Sequence, residues 1–149
     1  MALMQNILVP IDFSEHSAAA YDLAIELAKA LGGRLQLLHC YQINPGAISP
    51  YGLVLPESLD RGIREAASKR LDEWAQKAAG AGVKVTTGLS PLFPSLAIVD
   101  TARDTKADLI VMGTRGLSGI KHVLLGSVAE RTLREAPCPV LTIKDEAAA

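Results

Sequence analysis

Residues 109–127 read LIVMGTRGLSGIKHVLLGS. The opening LIVM is a short, unbroken apolar run, the pattern of a strand buried on both faces by flanking helices. Gly113, Gly116 and Gly126 follow, spaced along a crossover rather than packed into a tight turn, and Ser127 opens a new helical pattern over residues 127–136 that Pro137 and Pro139 stop. A buried parallel strand, a glycine-spaced crossover and a helix together make half of a βαβ unit.

The same alternation runs outward in both directions. Residues 6–11 (NILVPI) form another apolar run, a central strand followed at once by a helix that Ser14 caps. Ala20, Leu23, Leu27 and Leu31 recur at helical spacing and predict the buried stripe of that helix, with Asp22, Glu26 and Lys29 facing elsewhere and Gly32 and Gly33 ending it. Residues 35–40 give a second strand. Residues 44–56 (NPGAISPYGLVLP) carry three prolines and two glycines and read as a loop. A long helix is expected over residues 58–79, with Ile63, Ala67, Leu71, Trp74 and Ala78 as its apolar stripe and Gly80 and Gly82 closing it. Residues 83–87 predict a third strand, residues 95–106 a third helix with Leu96, Val99 and Ala102 inward, and Val140 to Ile143 a fifth strand before a fraying tail over 144–149.

Strands alternating with helices imply right-handed crossovers. The expected fold is therefore a single α/β domain over residues 1–149, with an open, mostly parallel five-stranded sheet covered by helices on both faces. Ligands of such sheets bind outside the carboxyl ends of the strands, where strand order reverses. That rule directs attention to residues 10–14 and 113–127.

Composition narrows the choice of partner. Hydrophobic residues make up 49% and charged residues 21% of the chain, a globular balance, and a chain of 149 residues buries roughly two-thirds of its unfolded surface. With 15 Lys and Arg against 16 Asp and Glu, a net charge of −1 offers no general attraction to nucleic acid or an anionic membrane. No apolar run approaches the roughly 18 residues of a membrane span. Cys40 and Cys138 form no CxxC pair, which suggests neither a zinc site nor a disulfide framework and suits a reducing cytoplasm.

The glycine-spaced loop carries the chemistry. Glycines permit close approaches that a Cβ blocks, and the free N–H groups of Ser127, Val128 and Ala129, at the positive end of a helix dipole, favour an anion. A phosphate is the natural guest, helped by the Ser127 hydroxyl. The loop is neither a Walker A sequence nor a GxGxxG turn. Its glycines also admit a plainer reading, as packing residues of a crossover. Asp12, at a strand's carboxyl end, is read either as a carboxylate that hydrogen-bonds a nucleoside or helps hold Mg²⁺, or as a local turn or helix cap. His16, His39 and His122 sit on different elements without ligand spacing. Lys121, His122, Arg131 and Arg134 admit an anion-attracting rim but read mainly as solvated charges, and Cys138 reads as a small buried hydrophobe.

Gly113, Gly116, Gly126 and Ser127 match GxxGx9G(S/T), the signature of the ATP-binding subclass of the universal stress protein family, which this chain resembles. ILVPIDFSEHS at residues 7–17 is similar to that family's opening strand, aspartate and first helix, and GSVAERTLREAPCPVLTI at residues 126–143 to its closing segment. The resemblance implies an adenine-side wall of Pro10, Ile11, Asp12 and Cys40, with Met112 and Gly113 beside the base. Ribose and phosphates would meet Gly116, Gly126, Ser127 and Val128. Ile11 and Arg115 stand where ATP-binding members often have Thr and His, and Arg115 brings a guanidinium toward the phosphates or into solvent. The implied function is that of a cytoplasmic, nucleotide-dependent stress-response regulator binding ATP, with Mg²⁺ as a companion, and acting as a homodimer paired through residues 140–143. A slow ATPase, with Asp12 and Arg115 as the residues to mutate, and a nucleotide-free interaction module are the alternatives. A flavin or dinucleotide domain is disfavoured.

Overall fold

The computed structural model describes residues 4–41, 57–115 and 125–144. The loop expected over 44–56, Gly116, Lys121, His122 and the last five residues lie outside them. Among the described residues nine elements follow one another: β1 (Asn6–Pro10), α1 (Glu15–Leu31), β2 (Arg34–Cys40), α2 (Glu57–Gly80), β3 (Val85–Ser90), α3 (Pro94–Asp104), β4 (Leu109–Gly113), α4 (Ser127–Glu135) and β5 (Val140–Ile143). The strands form one sheet in the order β3-β2-β1-β4-β5, and every pairing is parallel.

Strand order decides where a ligand fits. From β1 the chain steps to β2 and β3 on one side, then returns to place β4 against the other side of β1. The reversal therefore falls between β1 and β4, whose carboxyl ends are Pro10 and Gly113.

Alternation along the strands sorts their side chains into two cores. Ile7, Val9 and Ile11 join Leu35, Leu37, Leu109 and Val111 beneath α1 and α2. Leu8, Leu38, Ile110 and Met112 meet Ala97, Ile98, Ala102 and Ala129 of α3 and α4.

Ser14 caps α1 as expected, its Oγ accepting a hydrogen bond from Ser17 N at 3.1 Å, and Gly32 ends the helix in the left-handed region at φ 66°. The buried face of α1 differs from the expected leucine stripe. Ser17, Ala20, Tyr21, Ala24, Ile25 and Ala28 point inward, whereas Leu23 and Leu27 lie at its margin and Leu31 is 42% exposed. Small residues let α1 sit close to the sheet, and the longer leucines fill the flanks. Two other expectations shift. Leu96 faces solvent, because Ser95, Ile98, Val99 and Ala102 take the inner side of α3. The third strand begins at Val85 and runs to Ser90, later than the expected residues 83–87.

The α2 stripe matches its expectation, with Leu71 and Ala78 fully buried. Tyr21 ties α1 to this helix: its hydroxyl donates to Trp74 O at 2.8 Å and accepts from Ala78 N at 3.1 Å. Burial, more than the opposing bond from Ala78, raises its pKa. Tyr21→Phe removes this tie and is expected to lower stability by about 1–2 kcal/mol, measured by urea unfolding.

Candidate nucleotide site

The carboxyl end of β1 turns sharply into α1. Asp12 Oδ1 accepts from Ser14 N at 2.9 Å and also from the Ser14 hydroxyl. The local-turn reading of Asp12 is thus realised in the structure, while the cap of α1 is Ser14. Ile11 contributes no side chain to the opening, since it is 2% exposed within the α1/α2 core. Its N–H donates to Leu38 O at 2.8 Å, and its carbonyl lies 2.7 Å from His39 Nδ1. What Ile11 retains for a ligand is the second lone pair of that carbonyl.

Pro10, Cys40, Met112 and Val128 belong to the other face. Met112 is a member of the α3/α4 core, and Cys40 and Val128 pack against that core from its margin. Pro10 shares the face by alternation with Leu8. Met112 is 5% exposed, so its side chain offers little surface at the carboxyl end of β4. Burial pushes the Cys40 thiol up to about 11 from an ordinary 9.0, so it is neutral at physiological pH, and Cys138 is raised by burial and then by Asp108. The unfolded chain releases the Cys40 proton near 9 while the folded chain keeps it to about 11, so stability falls as pH climbs through that window. In the folded protein at pH 8, Cys40 is expected to alkylate roughly a hundredfold more slowly than in urea; equal rates contradict the buried setting.

Two signature glycines have neighbours within the protein. A Cβ on Gly113 would stand 2.9 Å from His16 Cβ and 3.1 Å from His16 C, so β4 and the first turn of α1 meet there. This contact was not legible from sequence, where His16 and Gly113 belong to distant elements. At Gly126 a Cβ would stand 3.1 Å from Thr114 O, and the Gly126 N–H donates to that same carbonyl at 2.6 Å. Thr114 N donates in turn to Ile143 O at 3.1 Å, which fixes the loop's start to β5.

Helix α4 begins without a side-chain cap. Gly126 offers none, and the first intrahelical bond is Glu130 N to Gly126 O at 2.9 Å. The amides of Ser127, Val128 and Ala129 therefore lack an intrahelical acceptor and carry the positive end of the helix dipole. Glu130 is the acid of this first turn, and Arg134 holds its carboxylate at 2.7 Å, one turn down the helix. Arg131 pairs likewise with Glu135 at 3.3 Å, so these two arginines serve their own helix rather than forming a rim. Ser127 is exposed, while Gly113, Arg115, Gly126 and Val128 are half-buried.

Two buried polar atoms near this corner, Thr114 Oγ1 and His16 Nδ1, have no hydrogen-bond partner among the described residues. Native structures seldom leave such atoms bare without a ligand or water nearby. Among the described residues no group of three His, Cys, Asp or Glu is placed to hold a metal, and no helix is long and apolar enough to cross a membrane.

The model of the universal stress protein family matches residues 4–144. Universal stress protein MJ0531 of Methanocaldococcus jannaschii is 35% identical, with 95% of this chain and 83% of that protein covered. Among solved structures, hypothetical protein MJ0577 superposes with a TM-score of 0.83 at 26% identity, covering 97% of this chain and 98% of the other. A universal stress protein solved in complex with cAMP superposes with a TM-score of 0.63 at 29% identity over 95% of this chain and 98% of its own. The chain belongs to the universal stress protein family.

Proposed function

We propose that this protein binds ATP at the carboxyl ends of β1 and β4 and acts as a nucleotide-dependent regulator of a stress response. The observation that carries the reading is the uncapped start of α4, where the amides of Ser127, Val128 and Ala129 lack an intrahelical acceptor and Gly126 before them carries no side chain. The cAMP complex of a family member supports an adenine nucleotide as the guest. In this reading the phosphates lie against Gly126, Ser127 and Val128, with Gly116 and Arg115 beside them. The base rests toward Pro10, Cys40, Met112 and Gly113, touching Ile11 through its backbone. Asp12 takes the ribose or a Mg²⁺ ion, a hard cation suited to carboxylate and phosphate oxygens. The half-buried thiols of Cys40 and Cys138, both with raised pKa, suit work in a reducing cytoplasm.

The reading includes a homodimer. β5 is an outer strand of the sheet, and Leu141 at its middle is 38% exposed. An open edge of this kind is covered most simply by the same strand of a second copy. Replacing Leu141 with Lys is expected to shift the protein toward monomer in sedimentation at fixed concentration; a wild type that is monomeric throughout contradicts the dimer.

The test of the ligand is direct. Freshly purified protein is denatured and the released small molecules are identified by chromatography. ATP in near-stoichiometric amount is the expected result, whereas a flavin, a dinucleotide or no nucleotide, even after incubation with Mg-ATP, overturns the proposal.

A further inference from the structure

Phe13, the central residue of the Asp12–Ser14 turn, has φ 65°. A bulky side chain in the left-handed region is an outlier, and such a conformation persists only where the surroundings impose it. Here the surroundings are specific. The His39 ring lies 4.5 Å from the Phe13 ring, the Trp74 ring meets it edge-on at 5.3 Å, and Arg70 Cζ stands 4.2 Å above its centre. Cation–π and edge-to-face contacts of this geometry are both attractive. His39 is itself aimed by the Ile11 carbonyl, and Trp74 and Arg70 both belong to α2. A strained turn that bears a candidate ligand carboxylate is thus gripped by α2, which shares its face of the sheet with α1.

We propose that Phe13 transmits occupancy of the Asp12 turn to α2. The inference rests on the nucleotide reading above and adds its output. Asp12 Oδ1 closes the turn by accepting from both groups of Ser14, and Ser14 in turn caps α1. A ligand that draws the Asp12 carboxylate toward itself competes with those bonds. Once they loosen, Phe13 gains access to the negative-φ regions that its Cβ favours, and its ring moves against Arg70 and Trp74. The signal therefore appears on α2, away from the phosphates, as a change in the packing of one indole.

Trp74 is the sole tryptophan of the chain, so its emission reports this event without a label. The experiment titrates Mg-ATP into the wild type, Phe13→Gly and Arg70→Met, following binding by equilibrium dialysis and Trp74 emission in parallel. Glycine adopts φ 65° freely, so Phe13→Gly keeps the turn and removes the ring. In the wild type, emission is expected to change with the same midpoint as binding. Phe13→Gly is expected to bind ATP with the emission response lost, and Arg70→Met to bind with the response reduced. Wild-type binding with flat emission, or a full response in both variants, overturns this inference and leaves the nucleotide reading standing. Absence of binding by the wild type in dialysis overturns the nucleotide reading and this inference with it.

Discussion

Gly126→Val is expected to retain no adenine nucleotide while its far-ultraviolet circular dichroism stays that of the wild type. Gly126 has φ −68° and ψ 163°, an extended conformation that valine adopts readily, so the substitution does not oppose the backbone. What it opposes is space. The new Cβ meets Thr114 O at 3.1 Å and lies 3.7 Å from Arg115 Cα, at the start of α4 where phosphate is proposed to sit. Hydrogen bonds to a charged group contribute about 1.5–3 kcal/mol each. Losing even one weakens binding by about tenfold to a hundredfold, enough to strip ligand during purification. Chromatography of the denatured variant measures the outcome. Retention equal to the wild type contradicts the site assignment.

Gly113→Val has a different expected result, loss of stability before any question of ligand arises. Valine is a good strand residue and β4 is a buried strand, so propensity alone would favour the change. The obstacle is α1. A Cβ at position 113 stands 2.9 Å from His16 Cβ, 3.0 Å from His16 O and 3.1 Å from His16 C, and the last two are backbone atoms that yield only if the helix moves. Overpacking of this kind costs about 1–3 kcal/mol. At about 2–4 °C per kcal/mol for a chain of this size, the unfolding midpoint falls by several degrees. An unchanged midpoint in calorimetry contradicts the close approach of α1 to β4. Two glycines of one signature thus have separable duties, one in helix packing and one at the proposed ligand.

The order of elements was legible because the buried strands announce themselves. Residues 7–9 and 109–112 are apolar without interruption, and both faces of the sheet are covered there. β3 was misplaced for the converse reason: it is an outer strand with Thr86 and Thr87 exposed, so its pattern is weak. The buried face of α1 was misread because leucines outweigh alanines in any count of apolarity. Close packing against a strand that ends in Gly113 selects the smaller side chains instead. Leu96 was misjudged in a similar way, with Ser95 taking the inner position.

For the candidate site, glycine spacing and an uncapped helix start could be read directly from residues 113–129. The division of its wall between two faces could not. Ile11 and Met112 look alike as apolar residues at strand ends, yet one is committed to the α1/α2 core and the other to the α3/α4 core. The left-handed turn at Phe13 and the meeting of His16 with Gly113 depend on how helices approach the sheet, which local sequence does not encode.

A crystal grown with Mg-ATP puts the central claim to its plainest trial. The account predicts phosphate oxygens within hydrogen-bond distance of the backbone nitrogens of Ser127 and Val128, with the base lying toward Pro10 and Cys40. Density for the nucleotide elsewhere, or a corner filled by the protein's own side chains, would contradict it.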